Sequence, residues 1–174
     1  MATQEKYSKY LLTPYWTDAY KHLDYIQEEF NDQEQLARWR EAGLKGPVTG
    51  FMCDMRSPQP MWNYRFVRLF QEKFGWQDVG TSYYRMDAGV HLPTHSDLYK
   101  RYVELFNLQG KENTIRRAVV FLEDAKPGHY SEICGDVMTN WVAGTVIEWE
   151  YDTPHAAANF GTEPRYTLQI TGHK

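Results

Sequence analysis

Basic charge, cysteine and long apolar runs are all scarce in this chain. Its 174 residues carry 19 Lys and Arg against 23 Asp and Glu, a formal net charge of −4. A surface that grips a phosphate backbone needs a clustered excess of cations, so nucleic acid is not an expected partner. The two cysteines, Cys53 and Cys134, lie far apart and form no CxxC pair. No disulfide framework or cysteine zinc site is expected, and a reducing, cytoplasmic setting is the simpler reading. No run of about 18 apolar residues occurs, and the opening Met-Ala-Thr-Gln-Glu-Lys has no apolar signal core. No membrane span or leader is therefore expected. Repeats and low-complexity segments are missing as well. Aromatic residues, by contrast, are plentiful: they make up 16% of the chain, with 13 Tyr and 6 Trp. Such side chains serve core packing first and pocket walls second.

The length fits a single domain spanning 1–174, with a mostly helical part over 1–79 and a strand-rich part over 80–174. Pro14 interrupts any helix over residues 1–16. Thr17 can cap a helix carrying Ala19, Leu23, Ile26 and Phe30, and Asp32 a second one holding Leu36 and Trp39, stopped at Gly43. Residues 44–60 read as loop with one short strand. Pro60 opens a third helix bearing Trp62, Phe66, Leu69 and Phe70, and Gly75 closes it. These helices are read as packing elements without chemistry.

Past residue 80 the chain changes to strand formers: Thr81–Asp87, Val90–Thr94, Ile115–Glu123, His129–Cys134 and Thr145–Glu150. A helix is expected over 98–107, and a final hairpin from His155 to Thr171 turning near Asn159-Phe-Gly161. Seven or eight short strands spaced about ten residues apart predict a mainly β sandwich or jelly roll.

One constellation stands out against this frame. His95-Ser-Asp97 supplies an imidazole and a carboxylate two positions apart, which on a strand project to one face. His155 adds a second imidazole. Two His and one carboxylate with open positions beyond them match the facial triad of non-haem Fe(II) oxygenases. Arg165 follows His155 by ten positions, and Thr167 shares its strand face. A guanidinium fork pairs bidentately with a carboxylate, as a Lys cannot. Taken singly each residue has a plainer role, as surface charge, core histidine or hairpin residue; the value lies in the joint pattern, and the strand pattern alone still favours the plainer roles. Among its neighbours, His91 is read as facing away from the ligands, Trp141 and Trp149 as packing, and Lys100 and Arg101 as a solvated helix face. Asp152 and Asn159 are read as turn residues before imidazole-orienting ones, and His129-Tyr130 as structural or exposed.

Two blocks resemble a known superfamily. Tyr84-Arg-Met-Asp-Ala-Gly89-Val-His-Leu-Pro-Thr-His95-Ser-Asp97 and Trp141-Val-Ala-Gly144-Thr-Val-Ile-Glu-Trp-Glu-Tyr-Asp152-Thr-Pro-His155, with Asn159 and Arg165-Tyr-Thr-Leu-Gln-Ile, are similar to 2-oxoglutarate/Fe(II)-dependent oxygenases. The likeness is greatest to the aspartyl/asparaginyl β-hydroxylase-like branch, which includes free-proline hydroxylases, and it covers roughly residues 80–172. The resemblance implies a double-stranded β-helix (jelly roll or cupin-like) with N-terminal helices packed on it. It implies Fe(II) held by His95, Asp97 and His155, with 2-oxoglutarate as co-substrate and O2 as oxidant. Arg165 would pair with the distal 2-oxoglutarate carboxylate, assisted by Thr167. Arg116, or Arg117 one position on, would lie near a second co-substrate arginine, and Tyr84 would stand in the pocket. The animal aspartyl hydroxylases lack the triad carboxylate that Asp97 supplies here, and halogenating relatives replace it with a small residue. The implied reaction hydroxylates an unactivated C–H of an amino-acid-like small molecule or a peptidyl side chain, converting 2-oxoglutarate to succinate and CO2. Two other readings stay open: a jelly-roll metalloenzyme that needs metal but not Arg165, and a binding module that turns nothing over.

Overall fold

The computed structural model describes residues 6–174. Among the described residues, eleven strands form two antiparallel sheets. In chain order they are β1 (Tyr7–Leu11), β2 (Ile26–Gln27), β3 (Phe51–Asp54), β4 (Gln77–Met86), β5 (His91–His95), β6 (Ile115–Phe121), β7 (His129–Ile133), β8 (Asp136–Met138), β9 (Thr145–Glu150), β10 (His155–Asn159) and β11 (Arg165–His173). The larger sheet runs β1-β9-β6-β11-β4-β3-β2 and the smaller one β5-β10-β7-β8. Consecutive strands repeatedly change sheet: β4 lies in one and β5 in the other, β6 in one and β7 in the other. That alternation is the mainly β, double-stranded β-helix arrangement expected from the sequence.

The period-2 alternation of β4, β6 and β11 gives the large sheet two unlike faces. Val79, Tyr83, Ala118, Val120, Leu168 and Ile170 point outward into an apolar layer completed by Tyr20, Phe66, Phe70 and Trp76. Helix α2 (Asn63–Arg68), prolonged by a wider π turn over Leu69–Lys73, supplies much of that layer. Buried Asn63 fastens it to β4, donating from Nδ2 to Thr81 Oγ1 (3.0 Å) and accepting from the Tyr83 hydroxyl (2.8 Å). The opposite residues of the same strands (Tyr84, Arg117, Val119, Arg165, Thr167 and Gln169) face the space between the sheets. Phe121, Ile133, Trp141, Ile147 and Trp149 close one part of that space.

Helix α1 (Gln33–Glu41) forms where expected, with Asp32 Oδ1 accepting from Gln35 N at 3.0 Å and Gly43 at φ +96° beyond its end. Helix α3 (Lys100–Phe106) follows the HxD segment, and α2 begins past Pro60, both as expected. The N-terminal part is less helical than expected. Only a short 3₁₀ turn, Asp18–His22, forms after Thr17, whose side chain makes no capping bond, and Ile26–Gln27 pairs as β2 instead. Residues 7–11 pair with β9 as an edge strand, for which five mixed polar and aromatic residues give little local signal. The last two strands are not a hairpin: β10 pairs with β5 and β7, whereas β11 pairs with β4 and β6. The chain crosses between sheets at Asn159–Gly161, where a Cβ on Gly161 would sit 2.0 Å from Pro127 O. Asn159 pins the crossing through Nδ2 to Met86 O (3.0 Å) and Glu163 O (2.8 Å).

Candidate metal centre

The small sheet brings the two imidazoles together. His155 on β10 is the direct cross-strand partner of His95, the last residue of β5, and their ring centroids lie 4.5 Å apart. Asp97 lies just past the end of β5 rather than on it, so the carboxylate reaches the site from a loop and not from the strand face expected. One ligand atom from each of the three residues falls within 4.8 Å of the other two. His91 packs near Phe160, at 6.0 Å between rings, and is not one of the three.

The ring nitrogens are assigned by their partners. His95 Nδ1 lies 2.8 Å from Pro93 O, and His155 Nδ1 lies 2.9 Å from Thr153 O. A carbonyl only accepts, so each Nδ1 carries the hydrogen and each Nε2 offers a lone pair. Both lone pairs are aimed at one carboxylate: His95 Nε2 is 3.5 Å from Asp97 Oδ1, and His155 Nε2 is 3.7 Å from Asp97 Oδ2. Three acceptors facing one another without a hydrogen between them suit a cation. Burial lowers the His155 pKa, which favours the neutral, ligating ring. Burial also pushes the Asp97 carboxyl up, but the Arg117 guanidinium and the two imidazoles outweigh it and hold the group well below the usual carboxylate range. The donor set therefore fits a divalent metal such as Fe(II).

Aromatic rings hold the imidazoles in place. Phe30 and Trp39 meet the His95 ring edge-on at 5.3 and 6.1 Å, and Trp149 lies 4.7 Å from the His155 ring. Helix α1, expected only to pack, thus braces a ligand. Asp152 and Asn159 do not orient the rings; backbone carbonyls two residues before each His do so. Asp152 instead turns the chain at φ +59°. His129 is buried and structural, and Trp141 stacks on Phe121 at 4.2 Å.

The ligands open onto a cavity of about 90 Å³, which Tyr84, Arg117, Arg165, Thr167 and Gln169 also line. Arg165 is 4% exposed, and its guanidinium lies over the rings of Phe121 and Trp141 at 5.3 and 5.5 Å. Its Nε has no hydrogen-bond partner, and no carboxylate pairs with it among the described residues. Burial pulls its pKa down to about 10, which still leaves it charged at neutral pH. Thr167 stands across from Tyr84 in the β11–β4 register. The Tyr84 hydroxyl accepts from Gly50 N at 2.5 Å, so its own proton is free to donate into the cavity.

The structure separates the two adjacent arginines, and Arg116, expected near the co-substrate, does not line the cavity. Arg116 turns away, donating to Asn113 O and Ile115 O and pairing with Glu150 at 3.4 Å. Arg117 is the one that enters, bonding Gln169 Oε1 at 2.6 Å and approaching Asp97 Oδ2 at 3.6 Å. Gln169 has no role in the sequence reading, although it sits two residues past Thr167 on the same strand face. Phe30 and Trp39 carried no local signal of their contact with His95.

No family model matches the chain, and no curated protein matches its sequence. Solved structures match its fold. A Pseudomonas putida prolyl-4-hydroxylase superposes with a TM-score of 0.58 at 12% identity, covering 97% of this chain and 93% of that one. The protein EvdMO1 superposes with a TM-score of 0.50 at 12% identity, over 82% of this chain and 42% of its own. At these identities the likeness concerns fold alone. No helix among the described residues is long and apolar enough to cross a membrane.

Proposed function

We propose that the protein is an Fe(II)- and 2-oxoglutarate-dependent dioxygenase that hydroxylates a C–H bond of an amino-acid-like small molecule or a peptidyl side chain. The observation that carries this reading is the pairing, in one cavity, of a His-Asp-His group with a buried arginine that has no carboxylate partner. A buried, unpaired cation is costly. A dicarboxylate co-substrate removes that cost by giving Arg165 its counter-charge. A metalloenzyme without such a co-substrate leaves Arg165 unexplained.

In this reading His95, Asp97 and His155 hold the iron, and Arg165, Thr167 and Tyr84 receive the distal carboxylate. Bound there, iron supplies the oxidising chemistry by which O2 and 2-oxoglutarate convert a substrate C–H to C–OH, leaving succinate and CO2. The chain's own share is positional. Pro93 O and Thr153 O keep both Nε2 lone pairs available, and Trp149, Phe30 and Trp39 fix the ring planes. The rings of Phe121 and Trp141 exclude water from around the Arg165 guanidinium, which strengthens its grip on an anion.

The test is succinate release from 2-oxoglutarate in air by iron-loaded protein, with Arg165→Ala alongside. Succinate from the wild type, reduced by about a hundredfold or more in the variant at sub-saturating 2-oxoglutarate, is the expected result. Equal yields from both would refute the role given to Arg165.

A further inference from the structure

A second cavity of about 720 Å³ adjoins the first and shares Asp97, Arg117 and Gln169 with it. The inner-facing row of β11 runs through both: Arg165 and Thr167 line the small cavity, Gln169 lines both, and Thr171 lines the large one. In register with Thr171 stand Gly80 on β4 and Arg117 on β6. Gly80 leaves the floor of the outer cleft bare, since a Cβ built there meets nothing within 4 Å. Beside it Ser82 Oγ is buried without a hydrogen-bond partner.

Arg117 lies where the two cavities meet, beside Asp97 and in the cavity that Arg165 and Thr167 also line. In the free protein Arg117 faces Asp97, the carboxylate that iron would claim. Lys100 and Arg101 also line the cleft, but both are exposed, and Arg101 reaches Asp54 only at 4.0 Å. Arg56 pairs with Glu28 (2.6 Å) and Asp54 (2.8 Å), and Asp78 pairs with His173 (2.8 Å). Arg117 differs from these cations in its burial, its side chain only 15% exposed against 43% for Arg56 and 66% for Arg101, and its Nε has no hydrogen-bond partner. Arg117 donates from Nη1 to Gln169 Oε1 and the Tyr99 ring backs its guanidinium at 5.0 Å, so the fork is already positioned.

We propose that the outer cleft is the prime-substrate site and that it selects a substrate bearing a carboxylate, which Arg117 grips. This inference rests on the oxygenase reading above and adds the substrate's charge class and its anchor. Gln169 is then a positioning residue for Arg117, and Gly80 sets the room above the cleft floor.

The test uses the protein loaded anaerobically with Fe(II) and 2-oxoglutarate, the visible band of that complex being recorded for every variant. Free L-amino acids and their carboxamides are titrated by calorimetry as matched probes. The expected result is at least one amino acid that binds about tenfold or more tightly than its carboxamide. Arg117→Gln should erase that preference, and Arg117→Lys, which keeps charge but loses the fork, should restore only part of it. Gly80→Val should weaken amino-acid binding about tenfold and leave the band unchanged. Binding without preference for the carboxylate overturns the inference, as does a preference that survives Arg117→Gln or is untouched by Gly80→Val. Failure of every amino acid to bind at millimolar concentration overturns it too. If Arg117→Gln itself loses the band, the Lys and Val variants decide. Absence of the band from the wild type is a different failure: it removes the oxygenase reading, and this inference with it.

Discussion

Arg165 is almost wholly buried with no carboxylate beside it, so in the ligand-free protein it works against folding. A residue kept for stability would behave otherwise, and the difference can be measured. Arg165→Met should raise the stability of the ligand-free protein by about 1–4 kcal/mol, the range found when buried ionic groups give way to apolar ones. The same variant should lose the stabilisation that 2-oxoglutarate confers. Denaturant titration of both proteins, with and without co-substrate, checks the pair of outcomes; a destabilised Met variant would make Arg165 structural. His129 obeys the opposite logic. Its Nδ1 accepts from Lys126 N (3.3 Å) and its Nε2 donates to Glu163 O (3.0 Å), which uses both faces of a neutral ring. Burial lowers its pKa below the ordinary 6.5. The unfolded chain therefore binds the proton first as pH falls, and the contribution of His129, full above about pH 6.5, is lost below it. Unfolding free energy measured from pH 7.5 to 5 should fall more gently for His129→Gln than for the wild type.

At the scale of elements, helix α1 joins the N-terminal part to the candidate metal site. Asp32 caps it, and Trp39 on it, with Phe30 just before it, meets the His95 ring. Asp32→Ala should cost about 1 kcal/mol of stability. It should also weaken iron binding several-fold, because the ring's brace is loosened; metal titration of the variant tests this, and unchanged iron affinity would detach α1 from the site. The cap and the Gly43 stop made this helix legible from sequence. Its docking was not legible, since nothing local to residues 30–39 records a contact with residue 95. The crossing from β10 to β11 shows the same limit. An Asn-Phe-Gly turn between two strands looks like a hairpin, yet Gly161 passes so close to Pro127 O that the chain switches sheets there. Gly161→Ala should destabilise the fold by more than about 2 kcal/mol, seen as a lower thermal midpoint, because backbone rather than a flexible side chain blocks the new methyl.

Across the whole molecule, the mainly β class could be read from strand spacing, whereas the double-stranded β-helix and the grouping of His95, Asp97 and His155 rested on the resemblance. The small sheet then brings these three residues together. The choice between Arg116 and Arg117 could not be read, because it depends on strand phase: shifting one position reverses the face. Nor could the outer cleft, which draws on β3, β4, α3 and β11 at once. In the proposed function the triad and Arg165 serve one metal with one dicarboxylate. Anaerobic titration with Fe(II) and then 2-oxoglutarate tests it most directly, through the weak visible band of the chelate. The expected result is a band in the wild type, no band in Asp97→Ala, and a band in Arg165→Ala only at about a hundredfold higher 2-oxoglutarate. Iron bound with no band at any 2-oxoglutarate concentration would contradict it.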